Sequence, residues 1–330
     1  MNKKLLIAAL CLMLAGCATN ETSEPTSMPA PSPSNGANAA TPPANETANE
    51  QTNEASLAEP PATATPSVMS TEQLSRAFGF ANEEGTKLMT TYQEIPYTVE
   101  ELKKLNTAVG VNGQVLSVRY ETEQQADDQD NGRQNAYNFA HMPGHVFEVV
   151  GGGAMSNESY YLVKDDEFDT TSMLELKPVT EIRAIDDAKL LEAIAAAHSG
   201  RAVHQGWQIA EVSDPTAAGD AAAPKQLYVV QFERQGDSML ASLIMKEGEQ
   251  LIAIDYPAEY DENSTWHVDD GGQVYPDQFS FLFAARGETG LILGLKWLSA
   301  EGEGITFLNQ SGSQFVALPD ISSGRYMSPV

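Results

Sequence analysis

The amino-acid sequence predicts an α+β protein, mainly an antiparallel β meander with a few helices, after a disordered N-terminal tether. Three observations lead to this fold class. Several runs alternate apolar and polar residues and are separated by short turns, as in paired strands. A few segments combine helix caps with apolar residues at helical spacing. The first seventy residues contain a long stretch of low complexity.

The N-terminus has the organisation of a secretory signal. Lys3 and Lys4 precede an apolar run over 5–15, which is eleven residues long. A membrane-spanning helix needs about 20 residues, so this run is too short to be a permanent anchor. The stretch Leu14-Ala15-Gly16-Cys17 then resembles the lipobox of bacterial lipoproteins. The resemblance implies cleavage of a signal peptide over 1–16 and acylation of the Cys17 thiol.

This resemblance also implies where the protein is located. Acyl chains on Cys17, such as palmitate, would attach the mature chain to the extracytoplasmic face of the cell membrane without spanning it. The only other cysteine, Cys11, would be lost with the signal peptide. The folded part is therefore expected to lack disulfides, catalytic thiols and cysteine-ligated zinc.

Residues 17–70 are predicted to form the lipidated cysteine and a disordered linker. After Cys17, this stretch contains nine prolines, no aromatic residue and no Lys or Arg. Such a composition buries too little apolar surface to offset the entropy of ordering the chain. The folded part is expected to begin near Ser70.

Three helices are predicted at the start of ordered segments. A capping box at 70–73 precedes apolar residues at helical spacing through Ala81, and a second box at 98–101 opens a short helix. Asp186 is the predicted cap of the clearest helix, in "DAKLLEAIAAAHSG". Leu190 and Ile194 lie on the apolar face of that helix.

The strands follow from alternation. In "FSFLFAA", the residues Phe279, Phe281 and Phe283 are expected to share one face, and "LILGLKW" alternates in the same way. Short turns join these runs, which favours antiparallel pairing. The segment 227–318 is predicted to form a meander that packs against the helix over 187–198.

Two subdomains are predicted in the ordered part. Residues 71–183 would form an α+β subdomain, with strands in "QVLSVRYETE", "HVFEVV" and "SYYLVK". Residues 184–330 would form a helix followed by an antiparallel β meander. A helix, a strand, a polar loop and further strands recur in that order in both parts.

The composition restricts the partners. With 46 acidic residues against 19 basic ones, the formal net charge is −27. Such a chain repels phosphate backbones, so nucleic acid is not an expected partner. An envelope protein or a glycan is compatible with this charge.

No complete catalytic or cofactor motif is present, and no cofactor is expected. The glycine-rich stretch at 151–156 lacks the spacing of a dinucleotide loop, and no phosphate loop with lysine occurs. Neither a G-x-S-x-G nor an H-E-x-x-H sequence is found. No residue is therefore predicted to be catalytic.

Several residues are candidate metal ligands without forming a known ligand set. His141 and His145 are four apart, but a Pro-Gly pair between them disrupts a helical turn. Asp127 begins an acidic loop that departs from a calcium loop at its twelfth position. A loop at His141 and His145 could still chelate a metal, with His267 as a further ligand. Asp269 and Asp270 form another acidic turn. The alternative for each of these is a solvated loop.

The paired carboxylates offer a second possibility. Asp269 with Asp270, or Glu301 with Glu303, would suit glycoside hydrolysis if they faced one another across a cleft. Trp266 lies in a polar loop and is expected to be exposed.

The sequence therefore predicts a membrane-anchored extracytoplasmic lipoprotein that serves as a non-enzymatic binding or structural module of the envelope. Two alternatives stay open. One is an extracellular hydrolase that uses carboxylates. The other is the solute-binding lipoprotein of a transporter, which normally has two α/β lobes.

Overall fold

The computed structural model of this protein describes residues 67–90, 97–219 and 223–328. Both of its barrels belong to one compact unit. The predicted signal peptide, Cys17 and nearly all of the predicted linker lie outside the described residues. None of the helices in the described ranges is long and apolar enough to cross a membrane.

The first six strands close into a barrel, referred to below as the first barrel. They follow one another around it in the order β1-β2-β5-β4-β3-β6, and every pairing is antiparallel. The strands are β1 (Ala77–Ala81), β2 (Lys87–Thr90), β3 (Thr107–Gly110), β4 (Gln114–Gln124), β5 (Gly144–Val149) and β6 (Ser159–Val163).

The remaining nine strands close into the second barrel, in the order β10-β11-β15-β14-β13-β12-β7-β8-β9. Two meanders, β7 to β11 and β12 to β15, meet at two seams. The β7–β12 seam is antiparallel, whereas β11 and β15 run parallel and share a single register pair. The strands are β7 (Met173–Pro178), β8 (Val203–Ser213), β9 (Lys225–Phe232), β10 (Ser238–Glu247), β11 (Gln250–Glu259), β12 (Phe279–Arg286), β13 (Leu291–Leu298), β14 (Gly302–Ser311) and β15 (Gln314–Tyr326).

The predicted fold class is confirmed in its coarse form, because the described chain is mainly β with few short helices. Closure of the strands into two barrels was not predicted. The chain passes from the first barrel to the second between Val163 and Met173. Strand β7 therefore belongs to the second barrel, although it lies within the predicted 71–183 subdomain.

Two of the three predicted helices are present. The capping box of Thr98 and Glu101 opens α1 (Val99–Leu102), whose Leu102 packs inside the first barrel. Helix α2 (Ala188–Ala197) begins one residue later than predicted, because the Asp187 side chain, rather than Asp186, accepts the capping hydrogen bonds. Its apolar face covers the outer side of β9 and β10.

The helix predicted from the capping box at 70–73 is wrong. Only Thr71–Gln73 forms a 3-10 turn, and the chain then enters β1. All five residues of β1 are buried, so this strand has no polar face and does not alternate. A Cβ at Gly79 would lie 3.0 Å from the Met89 carbonyl oxygen, which shows how closely β2 approaches.

The prediction that the three phenylalanines of β12 share one face is also wrong. Phe279 and Phe281 pack inside the second barrel, whereas Phe283 packs in the cluster between the barrels. The register shifts between Phe281 and Phe283, and such a bulge reverses the alternation of side chains. The predicted face of β13 is confirmed, because Leu291, Leu293 and Leu295 are all interior with Trp297 packed against them.

The bulge in β12 is where the first barrel docks. The β3–β4 turn donates two backbone hydrogen bonds to it, from the Asn112 N–H to the Phe281 carbonyl (2.9 Å) and from the Gly113 N–H to the Leu282 carbonyl (2.7 Å). Aromatic rings fill the space beside this turn, with the Tyr161 and Phe307 centroids 4.8 Å apart. The two barrels thus share one apolar interface.

The N-terminal end of the described chain is attached to the second barrel before the first barrel begins. Met69 forms a parallel bridge with Gly287, and its N–H donates to the Arg286 carbonyl at 2.7 Å. Met69 is buried in the inter-barrel cluster.

Candidate functional site

A cleft of about 880 Å³ opens between the two barrels. The first barrel contributes part of the loop that joins β4 to β5. The second barrel contributes the beginning of β14, the end of β15 and two loops. The polar residues that line the cleft are Asp130, Gln134, His267, Ser299, Glu301, Glu303, Arg325 and Tyr326.

Glycines leave the β14–β15 wall of the cleft without side chains. Gly304 pairs with Gly324 across the ladder, and Gly302 pairs with Tyr326. A Cβ placed on Gly304 would meet no atom within 4 Å, so the space above it is open. A Cβ on Gly302 would lie 1.8 Å from the Arg325 carbonyl oxygen, so only Gly302 is required by packing.

A buried group of charges lies behind this wall. Glu303 and Arg325 are opposite each other on the two strands, and the Arg325 Nε donates to Glu303 Oε1 at 2.9 Å. Lys296 Nζ lies 3.7 Å from Glu303 Oε2 and also pairs with Glu158 of the first barrel. The Ser159 hydroxyl donates to Glu303 as well. All charges in this group therefore have partners, as buried charges require.

The pKa of Glu303 follows from these partners. Burial by itself raises the pKa of the carboxyl group, but the charges of Arg325 and Lys296 and the hydrogen bonds outweigh it. The pKa is therefore below its ordinary value, and Glu303 stays ionised at neutral pH. An ionised carboxylate accepts hydrogen bonds and cannot act as a proton donor.

Arg325 joins the two barrels beneath the cleft. Its Nη1 donates to the Gln134 carbonyl at 3.1 Å and its Nη2 to the Asn157 carbonyl at 2.8 Å, and both acceptors belong to the first barrel. The guanidinium also lies 4.8 Å from the Phe80 ring centroid. Arg325 thus fixes the position of one barrel relative to the other at this wall.

The rim of the cleft carries two carboxylates and one aromatic ring, and the Arg133 guanidinium lies over that ring, 4.2 Å from its centroid. Asp130 is held in place by the Gly132 N–H and by the Asn138 side-chain amide, both of which donate to its Oδ1. Glu301 is exposed on the opposite side, and Tyr326 is 41% exposed.

The loop before β12 is organised by Asp270. The carboxylate accepts hydrogen bonds from the backbone N–H groups of Thr265, Trp266, His267 and Gly272, at 2.6–2.9 Å. Burial raises the pKa of Asp270, but these bonds outweigh it, and the net pKa is lowered. Both carboxylate oxygens are therefore engaged by the loop backbone.

Trp266 is partly buried, so the prediction that it is exposed is wrong. Its ring packs against the interior of the second barrel, and its indole N–H donates to the Tyr256 carbonyl at 2.9 Å.

His267 is the loop residue that reaches the cleft. Its Nε2 is buried and has no hydrogen-bond partner among the described residues. Burial lowers the pKa of the imidazole, so the ring is neutral at neutral pH. It packs edge-on against Trp297, with the ring centroids 4.7 Å apart.

The predicted metal candidates lie in different surroundings. Asp127 and His141 do meet, with 2.9 Å between Asp127 Oδ2 and His141 Nδ1, and this bond lowers the pKa of Asp127. His145 is instead buried in β5 and faces the Tyr120 hydroxyl at 3.4 Å. Asp269 is exposed and has a left-handed backbone, with φ of 61°. Among the described residues, no three His, Cys, Asp or Glu form a group suited to a metal ion.

The predicted carboxylate pairs are not arranged as an acid and a base. Glu301 is exposed while Glu303 is buried and ion-paired. Asp269 is exposed while Asp270 accepts backbone hydrogen bonds. In each pair, the member with the lowered pKa stays ionised and is engaged by its neighbours, so it cannot serve as the general acid.

Sequence reasoning missed Lys296 and Arg325, the two cations of the cleft wall. Lys296 carried a signal, because it lies within the otherwise apolar run "LILGLKW" of β13. A lysine in such a run is buried only if it is paired. Arg325 lies near the end of the sequence, outside any recognisable pattern, and only the β14–β15 register reveals its partner.

No protein-family model, curated protein or solved structure matches this chain.

Proposed function

We propose that this protein is a lipid-anchored, extracytoplasmic binding module of a bacterial cell envelope, without enzymatic activity, and that the inter-barrel cleft holds its ligand. The attachment rests on the lipobox-like sequence that ends at Cys17. The observation that carries the binding role is the cleft itself, which combines an open volume with several polar side chains.

The size and lining of the cleft favour a small polar ligand. Its volume of about 880 Å³ lies within the usual range for small-molecule sites. The bare backbone at Gly304 leaves room for a ligand to approach the wall closely. Tyr326 at the rim is 41% exposed, with the Arg133 guanidinium over one face of its ring. These features suit a sugar ring, which presents both hydroxyl groups and an apolar face.

The charge of the cleft sets a further preference. Arg325 has its charge matched by Glu303, and the rim has two carboxylates, Asp130 and Glu301, against one cation, Arg133, so its net charge is negative. Anionic ligands are therefore disfavoured, while neutral or cationic ones are accepted. We infer that the ligand is a neutral or amino-bearing glycan segment of the envelope.

The non-enzymatic part of the proposal rests on the state of the carboxylates. Glu303 and Asp270 are both held ionised and fully engaged by their neighbours. The solute-binding alternative depends on two α/β lobes, and the described residues form two β-barrels instead, which are antiparallel except at the β11–β15 seam.

The test uses the full-length protein in detergent and two probes of equal length, the tetramers of N-acetylglucosamine and of glucosamine. Gly304→Phe fills the open space above β14, and Val316→Phe adds the same ring at an exposed position of β15 outside the cleft lining. We expect at least one tetramer to bind by calorimetry, and Gly304→Phe to weaken that binding at least tenfold. Val316→Phe is expected to bind as the wild type does.

Binding that survives Gly304→Phe unchanged would place the ligand elsewhere, and binding of neither tetramer would overturn the glycan assignment. Cys17→Ala tests the anchor separately. This variant is expected to leave the membrane fraction and to lose labelling by a fatty-acid probe. Retention of both properties would show that the lipobox interpretation is wrong.

A further inference from the structure

The closing seam of the second barrel is its weakest contact. Strands β11 and β15 share one register pair, Ala253 with Gln314, whereas β10 and β11 share ten. The Ala253 N–H donates to the Ser313 carbonyl at 3.3 Å. A groove of about 360 Å³ lies at this seam, and the C-terminal end of α2 forms one of its sides.

His198, the residue that ends α2, bridges the helix to β11. Its Nδ1 lies 2.7 Å from the Ile194 carbonyl oxygen, and its Nε2 lies 3.2 Å from Asp255 Oδ1. The side chain is only 7% exposed. A carbonyl oxygen and an ionised carboxylate can only accept hydrogen bonds, so both ring nitrogens must donate. Only the protonated imidazolium has two donors, so the geometry specifies the charged form of His198.

Among the described residues, the groove around His198 contains one opposite charge and no competing base. Asp255 is the one carboxylate among the groove residues, and the Ser242 hydroxyl of β10 also donates to it at 2.5 Å. The Phe232 ring of β9 lies 4.6 Å from the imidazole. Arg201, the nearest cation along the chain, donates instead to the carbonyls of Glu233 and Ser238. β15 contributes no titratable group to the groove.

The same arrangement is not a hydrolytic triad. Asp255 lies between the other two groups, and the Ser242 hydroxyl donates to Asp255 and not to His198. A nucleophilic serine needs the imidazole beside it as a base.

We propose that His198 is a protonation-controlled latch, which holds the end of α2 on β11 beside the seam and releases it when the ring loses its proton. Neutral imidazole can donate to either Ile194 or Asp255, but not to both. Loss of the proton therefore removes one of the two bonds that fix this end of the helix. The first barrel and the cleft are not required to change.

The direction of the pH effect follows from the pKa shifts of His198 and Asp255. Burial lowers the pKa of His198, but the hydrogen bonds and charge of its partners outweigh it, and the net pKa lies above the ordinary 6.5. The stabilisation is thus complete below the unfolded pKa and is lost as the pH rises through the folded pKa. The pKa of Asp255 is lowered mainly by the hydrogen bond to His198, so its contribution is lost only as the pH falls through that lowered value.

The test is amide hydrogen exchange of the α2 segment in the full-length protein at pH 5.5 and 8.5, corrected for intrinsic exchange. We expect at least a threefold loss of protection at pH 8.5 in the last turn of α2. In His198→Gln and Asp255→Asn, the difference between the two pH values should disappear. The matched control is His204→Gln, since His204 is an exposed histidine 3.3 Å from Glu233, and this variant should behave as the wild type does.

A titration of the wild-type protein by NMR keeps the proposal testable even if a variant fails to fold. The His198 ring should titrate with a midpoint above 6.5. A midpoint at or below 6.5, or equal protection of α2 at both pH values, would overturn the latch.

Discussion

The two barrels of this protein each close a sheet around an apolar core, but they differ in the number of strands and of core residues. Among the described residues, the first barrel closes six strands around eleven buried core residues, and the second closes nine strands around twenty. A barrel widens as strands are added, so the interior that side chains must fill grows with it. Both cores contain large rings, Phe147 and Tyr160 in the first barrel and Phe279 and Phe281 in the second, and the second core also has the loop residue Trp266 packed against it.

The difference extends to how each barrel closes. In the first barrel, β1 and β6 are joined by four antiparallel pairs. In the second, the β11–β15 seam has one pair. A wide barrel assembled from two meanders thus depends on side chains at its seam, where the narrow barrel relies on its backbone ladder. Helix α2 and His198 lie beside this seam.

The largest expected effect tests whether the barrels unfold together. Phe147→Ala removes a fully buried ring from the first barrel and should lower the free energy of unfolding by about 3–5 kcal/mol. All three tryptophans, Trp207, Trp266 and Trp297, lie in the second barrel or in its loop. Because the barrels share an aromatic interface, tryptophan fluorescence should report the same loss as far-UV circular dichroism.

The control for this experiment is Tyr137→Ala, at a side chain that is 69% exposed. It should change the free energy of unfolding by no more than about 0.5 kcal/mol. A fluorescence transition that stays in place in Phe147→Ala while circular dichroism shifts would mean that the barrels unfold independently.

The next effect concerns the buried charges that join the barrels. Glu303→Gln leaves Arg325 and Lys296 without their shared carboxylate and should cost about 3–5 kcal/mol in urea unfolding. The wild-type contribution is present above the unfolded pKa of Glu303 and is lost as the pH falls through the lowered folded value, so the variant should be less sensitive to acid.

The control variant, Glu148→Gln, breaks an exposed pair with Arg119 and should cost less than about 1 kcal/mol. Equal costs for the two variants would contradict this ranking.

The smallest effect concerns the acidic loops, one in each barrel. A calcium site with a dissociation constant near 10⁻⁴ M would add about 1.4 kcal/mol of stability in millimolar calcium. The Asp127 carboxylate is paired with His141, and Asp270 is engaged by backbone N–H groups. We therefore expect calcium and magnesium at equal ionic strength to raise the melting temperature equally, by screening. A calcium-specific rise that Asp127→Asn or Asp270→Asn abolishes would identify a metal site.

Local patterns in the sequence predicted local structure well. The capping box at Thr98 and the alternation of β13 both appear as expected, because each depends on neighbouring residues. The predictions fail where contacts between residues far apart in the sequence determine the structure. Phe283 changes face because the β3–β4 turn of the other barrel docks into a bulge of β12. Both faces of β1 are buried, so its apolar residues do not alternate, and their spacing predicted a helix instead.

The candidate site was less predictable than the fold. The sequence indicates Glu303 only as one member of a carboxylate pair with Glu301. Its true partner, Arg325, is 22 residues away along the chain and opposite it only in the β14–β15 register. A cleft between two barrels has no local signature, so no pattern in the sequence indicated it.

The attachment of Met69 to β12 has a mechanical consequence. If Cys17 holds the chain at a membrane, a force between membrane and ligand enters the folded part at the hydrogen bond from the Ser67 hydroxyl to Asp169 and at the bridge between Met69 and Gly287. That bridge belongs to the second barrel, although the residues that follow Met69 build the first. Tension from the tether is therefore transmitted to the larger barrel before it reaches β1, so the first barrel is shielded from the load as long as the bridge holds.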